Sequence, residues 1–92
     1  MKISQGNIYF SVEENTLTFV NNDKDICIII LTDNAKEYWT KISEKYKDNL
    51  PQLEADILTL YKKDNENFGK TSCNNNQVYV MNLTSKDLEK LS

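Results

Sequence analysis

Hydrophobic positions near the start of the chain recur at every second residue. In "IYFSV", residues 8–12, Ile8, Phe10 and Val12 share one face and Tyr9 and Ser11 the other; in "TLTFV", residues 16–20, Leu17 and Phe19 oppose Thr16, Thr18 and Val20. A period of two marks a strand with one face on a core and the other in more polar surroundings. The connections "EEN" and "NNDKD" are short and polar, and the second leads into "ICIIIL", residues 26–31, six apolar residues without a break. An unbroken run carries no phase, and it implies that both faces of that strand leave water. Short links between successive strands favour an antiparallel meander.

The period then lengthens. Ala35, Tyr38, Trp39, Ile42 and Tyr46 fall at helical spacing, with Lys36, Lys41, Glu44, Lys45 and Lys47 on the remaining positions. Asn34, with Glu37 three residues on, predicts a capped start, and Glu37 and Lys41 are four apart in the favourable order. A second helix is predicted from near Pro51, a residue suited to a first turn. Leu53, Ile57, Leu60 and Tyr61 form its apolar stripe, with Glu54 and Asp56 near its start and Lys62 and Lys63 near its end to complement the helix dipole. It is predicted to stop between Asp64 and Gly69. "GKTSCNNNQ", residues 69–77, reads as a polar loop. "VYVMNL" reads as a fourth strand, and "TSKDLEKLS" as a short helix with Thr84 and Asp87 at capping-box spacing and Leu88 and Leu91 as anchors.

The predicted fold is a single α+β domain over residues 1–92. An antiparallel β-meander, three strands plus a returning fourth, packs against two amphipathic helices, and a short C-terminal helix closes the order βββααβα. With helices over the face of Phe10, Leu17 and Phe19, the opposite face presents Tyr9, Ser11, Thr16, Thr18 and Val20 together with alternate residues of 26–31, taken as Ile28 and Ile30. Either Leu88 and Leu91 cover this second face or another molecule does, and an apolar patch of a few hundred Å2 marks an interface. Glu13 and Glu14 in the first turn and Asp33 after the third strand fall at one end of such a meander. The candidate partner-binding set is therefore Tyr9, Thr18, Val20, Ile28, Ile30, Glu13, Glu14 and Asp33, and its occupant is a larger protein or a second copy in a homodimer.

Composition narrows the chemistry. There is no histidine, so no side chain titrates near neutral pH without perturbation, and neither a Ser-His nor a Cys-His pair can be drawn. No glycine-rich phosphate loop occurs. All eleven cations are lysine and the net charge is −3, so the planar guanidinium used for bidentate contacts to phosphate and guanine is absent. Direct nucleic-acid binding is not expected, and Tyr38, Trp39 and Tyr46 are read as core rather than as base-stacking groups. Cys27 and Cys73 are too few for a disulfide framework and too far apart in sequence for a metal motif. No catalytic residue, metal or cofactor is expected. No apolar run reaches the roughly 18 residues that span a bilayer and the first residues lack a signal-peptide core, so no membrane partner and a cytoplasmic location are expected.

Twelve asparagines, many isoleucines and the exclusive use of lysine fit an AT-rich coding sequence. With the small size, mild acidity and absence of catalytic equipment, they lead to the expectation of a non-enzymatic inhibitor carried by a phage or mobile element. Such a protein would be an anti-CRISPR or other anti-defence protein, an immunity protein or an antitoxin, and it would block a larger protein sterically.

The stretch "IYFSVEENTLTFVNNDKDICIIILTDNAKEYW", residues 8–39, resembles the PqqD-like peptide-recognition element of peptide-maturation systems. The resemblance centres on "LTDNAKEYW", which is similar to that family's strand-to-helix junction, L-[NT]-x-x-A-x-x-x-W. It covers 32 of 92 residues. It implies three strands followed by helices and a leader peptide bound by strand addition along residues 26–31. The chain departs from the family in having little room for a middle helix between Trp39 and Leu53 and in its extra strand and helix.

Overall fold

A computed structural model of the chain describes the backbone of residues 1–63, 69–73 and 76–91, and the side chains of residues 1–60 and 78–91. The first four strands are β1 (Lys2–Gln5), β2 (Ile8–Glu13), β3 (Thr16–Asn21) and β4 (Ile26–Leu31). Two helices follow, α1 (Ala35–Tyr46) and α2 (Leu50–Lys63), and then β5 (Gly69–Cys73), β6 (Asn76–Asn82) and α3 (Ser85–Glu89). The six strands form one sheet in the order β1-β2-β3-β4-β6-β5. Every neighbouring pair is antiparallel except β4 and β6, which run parallel. A parallel neighbour requires a long crossover, which the chain between β4 and β6 supplies.

The α+β class and the succession of meander, two helices, returning strand and short helix stand as predicted. Two short strands add to it. Residues 69–77, read as a loop, contain β5 and the start of β6, and β1 precedes the meander. The hairpin between β1 and β2 turns at Gly6, whose φ of +61° suits a residue without a Cβ. The returning strand joins the inner edge of the meander, between β4 and β5, so residues 26–31 lie inside the sheet.

Registers fix which residues share a face, because directly opposed residues in a ladder point the same way. Phe10 opposes Phe19, Phe19 opposes Ile28, and Ile28 opposes Tyr79; Val12, Leu17, Ile30 and Met81 form the next row. These rows carry the core, where Phe10, Leu17, Phe19, Ile28, Ile30 and Met81 are each 0–1% exposed. Burying such a side chain contributes about 1.5–3 kcal/mol. Helix α1 lays Tyr38, Trp39, Ile42 and Tyr46 on this face, and α2 lays Leu50, Leu53, Ile57 and Leu60. Trp39 stacks on Phe10 with ring centroids 6.1 Å apart, and its Nε1 donates to the Phe10 carbonyl at 3.3 Å. The three aromatics of α1 are thus core, as their spacing indicates.

Helix α3 belongs to the same side of the sheet. Thr84 and Asp87 form the predicted capping box, with the Asp87 amide donating to Thr84 Oγ1 at 3.3 Å and the Thr84 amide to Asp87 Oδ2 at 3.3 Å. Leu88 and Leu91 join the helix-side core, and Leu91 lies beside Tyr46, Asp56 and Leu60. The cap at α1 differs from expectation: Asn34 occupies the N-cap position but makes no side-chain cap bond, and Glu37 faces Lys41 at 3.6 Å instead. At α2 the Asn49 side chain accepts from the Gln52 amide at 3.3 Å, and Gln5 of β1 accepts from the Leu50 amide at 2.8 Å. The predicted roles of Tyr61, Lys62 and Lys63, the boundary placed between Asp64 and Gly69, and the Cys73 thiol lie outside the described residues or side chains.

Candidate functional site

Helices α1, α2 and α3 cover one face of the sheet, and among the described residues no element packs on the other. Its residues follow from the same ladders. Tyr9, Val20, Cys27 and Val78 stand in one row; Ser11, Thr18, Ile29 and Val80 in the next; Glu13, Thr16, Leu31 and Asn82 in a third. Tyr9, Thr18, Val20, Cys27 and Ile29 are half-buried, whereas Leu31 and Val80 are 39% and 36% exposed. The β-branched residues that make these strands also make the surface, since such side chains stand stiffly off a pleated sheet.

This face has two halves. On β4 and β6 the outward residues are Cys27, Ile29, Leu31, Val78 and Val80, an apolar stripe. On β2 and β3 they are mainly hydroxyl-bearing, through Ser11, Thr16 and Thr18. No charge stands on the outward positions of β3, β4 and β6 other than at their rim, in a chain of which 27% is charged. Lys2 lies at one margin, its Nζ 4.2 Å from the centre of the Tyr9 ring. Burial pushes the Cys27 thiol up from its ordinary pKa, and the residue is a free cysteine. It behaves as a small apolar side chain rather than as a nucleophile.

The structure corrects two of the predicted site residues. Ile28 and Ile30 point into the helix-covered core and are 0% and 1% exposed, so neither can touch a partner. Their places on the outer face belong to Cys27, Ile29 and Leu31, one residue out of phase, and Val80 joins them from the neighbouring strand. Tyr9, Thr18 and Val20 are on the outer face. The periodic strands contained the signal that decides the phase: Phe10 and Phe19 are inward by alternation, and the 21-to-26 connection sets Phe19 opposite Ile28.

The acidic end is also visible. Glu13 ends β2, Glu14 follows in the hairpin turn with a φ of +53°, and Asp33 follows β4. Glu14 and Asp33 line one shallow open cleft of about 410 Å3 with Asn15, Asn34 and the first turn of α1. An adjoining open cleft of about 450 Å3 runs between the ends of β4 and β6 and is lined by Leu31, Asp33 and Leu83 together with Asn15, Thr32, Asn34, Asn82, Thr84 and Ser85. Among the described residues no three His, Cys, Asp or Glu side chains gather closely enough to hold a metal ion.

Strand addition along residues 26–31 has no free edge to use. Strand β4 is hydrogen-bonded to β3 on one side and to β6 on the other. The docking mode implied by the PqqD-like resemblance is therefore closed at those residues. Comparison with protein-family models, with curated proteins and with solved structures finds no match to this chain. No helix among the described residues is long and apolar enough to cross a membrane.

Proposed function

We propose that the chain is a non-enzymatic protein-binding domain whose outer sheet face seats on a larger protein and obstructs that protein's working surface. The observation that carries this reading is the uncharged, partly apolar face of β3, β4 and β6, on which no element packs among the described residues, α1, α2 and α3 all lying on the opposite side. A stripe through Ile29, Leu31 and Val80, flanked by threonine hydroxyls, has the anatomy of an interface: an apolar centre depleted of charge and a polar margin. Glu13, Glu14 and Asp33 rim one end of it and supply charge that can steer a basic partner surface into register.

The rest of the chain fits an inhibitor. It lacks histidine and arginine and has no glycine-rich phosphate loop. Steric obstruction needs none of these. An acidic balance and an AT-rich residue bias fit the anti-defence proteins, immunity proteins and antitoxins carried by phages and mobile elements.

The test is affinity capture with the tagged chain in cells of its source lineage, using the unmodified protein, Ile29→Lys, Val80→Lys and, as a control, Glu44→Lys at an exposed position of α1. The expected result is one stoichiometric partner that is lost with the two sheet-face variants and kept with the control. Capture of that partner undiminished by Ile29→Lys and Val80→Lys would overturn the reading.

A further inference from the structure

Strands β4 and β6 run parallel, and the chain leaves both at the same end of the sheet, β4 toward α1 and β6 toward α3. Loops departing from the carboxyl ends of parallel strands splay apart, and the crevice between them is a recurrent place for ligands. The open cleft of about 450 Å3 lies there, and its volume is that of a small-molecule site. Asn15, Asn34 and Asn82 present exposed carboxamides to it and Asp33 an exposed carboxylate. None of these four side chains is engaged in a hydrogen bond or ion pair among the described residues.

Thr32 lies deeper. It is 9% exposed and lines the cleft, and its amide donates to the Asn15 carbonyl at 2.9 Å, but its hydroxyl has no hydrogen-bond partner among the described residues. No fully enclosed side-chain oxygen or nitrogen among those residues goes without a partner, so this hydroxyl is not sealed in the core and opens on the cleft. A polar group so nearly buried is costly when unpaired, and here only what enters the cleft can satisfy it.

Charge selects the ligand. The adjoining cleft sets Glu14, Asp33 and Glu37 against one lysine, Lys36, which disfavours an anion. The first turn of α1 faces the same space, and its amides have no side-chain cap from Asn34, which disfavours a cation. A metal is unsupported among the described residues. A neutral molecule rich in hydroxyls is suited to both conditions, because carboxamides and hydroxyls each donate and accept and a carboxylate accepts twice. Leu31 and Leu83 add an apolar wall.

We propose that the cleft at the ends of β4 and β6 binds a neutral hexose unit. Thr32, Asn15, Asn34, Asn82 and Asp33 bond its hydroxyls, and a carbon-bound hydrogen face of the ring lies against Leu31. The site stands whether or not the outer sheet face meets a protein.

The test is an amide-resolved NMR titration of the full chain with glucose, galactose, mannose and N-acetylglucosamine to tens of millimolar, with glycerol and triglycine as comparison ligands. The expected result is a saturable shift, for at least one sugar, at the Thr32 and Asn34 backbone amides and the Asn15 and Asn82 side-chain amides. Thr32→Val keeps the shape and removes the hydroxyl, and Asn82→Ala removes an exposed carboxamide; each is expected to weaken binding about three- to tenfold. Should Thr32→Val fail to fold, Asn82→Ala decides. No saturable shift with any of the four sugars would overturn the proposal. So would equal shifts with glycerol or triglycine, or a sugar affinity unchanged in the folded variants.

Discussion

Ile28 and Ile29 are consecutive on β4 and have opposite fates: Ile28 is 0% exposed between Phe19 and Tyr79 beneath the helices, whereas Ile29 stands half-buried between Thr18 and Val80 on the open face. Truncation should separate the two. Ile28→Ala removes methylenes from a closed core and is expected to cost about 3 kcal/mol. Ile29→Ala loses contacts on the half-buried face and should cost no more than about 1 kcal/mol. Urea denaturation of both variants measures the difference. Equal losses would mean that the second face is covered within the chain.

That pair also shows where the sequence was legible and where it was not. Alternation along residues 8–12 and 16–20 sorted Phe10, Leu17 and Phe19 from Tyr9, Thr18 and Val20 correctly, because each strand carries a polar phase. "ICIIIL" has none, so its inward residues could not be told from its outward ones without pairing it to β3. Helices α1 and α2 are visible from 3.6-residue spacing and α3 from its capping box at Thr84, whereas the cap expected of Asn34 does not form. Strand β1 was not, since "KISQ" offers only Ile3 as an apolar residue and lies at an edge, and β5 was hidden in the turn-rich "GKTSC". Strands held by one neighbour owe more to the ladder than to their own pattern.

Buried polar chemistry links α2 to the β3–β4 connection, and it yields an asymmetric pair of expectations. Glu54 and Asn21 are each 4% exposed, and Asn21 Nδ2 donates to Glu54 Oε1 at 2.7 Å. Lys24, whose side chain is 64% exposed, meets Glu54 Oε2 at 3.1 Å. Glu54→Ala strands the buried Asn21 amide and is expected to cost about 2–3 kcal/mol. Lys24→Ala removes a cation that is mostly in water and should cost under about 1 kcal/mol. Thermal or urea unfolding of the two variants tests the ordering, and a larger loss from Lys24→Ala would show that the carboxylate depends chiefly on its ion pair.

Gly6 gives a test free of packing effects. Its φ is +61°, yet a Cβ built there meets nothing within 4 Å. Gly6→Ala therefore strains the backbone of the β1–β2 hairpin without any collision, and the expected loss is about 1–2 kcal/mol. If β1 frays as a result, amide exchange at Ile3 should accelerate while that at Phe19, in the centre of the sheet, changes only with global stability.

The Tyr46 hydroxyl donates to Asp56 Oδ2, whose other oxygen accepts from Gln52 Nε2 at 3.0 Å. Burial, the hydrogen bond to Asp56 and the negative charge of that carboxylate together push the Tyr46 pKa up from 10.0 to about 12. A phenol whose pKa is raised by folding keeps its proton in the native state after the unfolded chain has lost it. The stabilisation is thus complete below about pH 10, declines as the pH climbs, and is gone above about pH 12. Tyr46→Phe removes the proton concerned and the bond it makes. It should cost about 1–2 kcal/mol at neutral pH, where the lost bond had a charged acceptor. It should also flatten the alkaline limb of the stability profile, because the remaining tyrosines then contribute the same ionisation to both variants. Urea midpoints measured for the two proteins at neutral pH and in steps above pH 9 give both quantities. An alkaline slope that persists unchanged in Tyr46→Phe would assign it to another group and remove Tyr46 as its source.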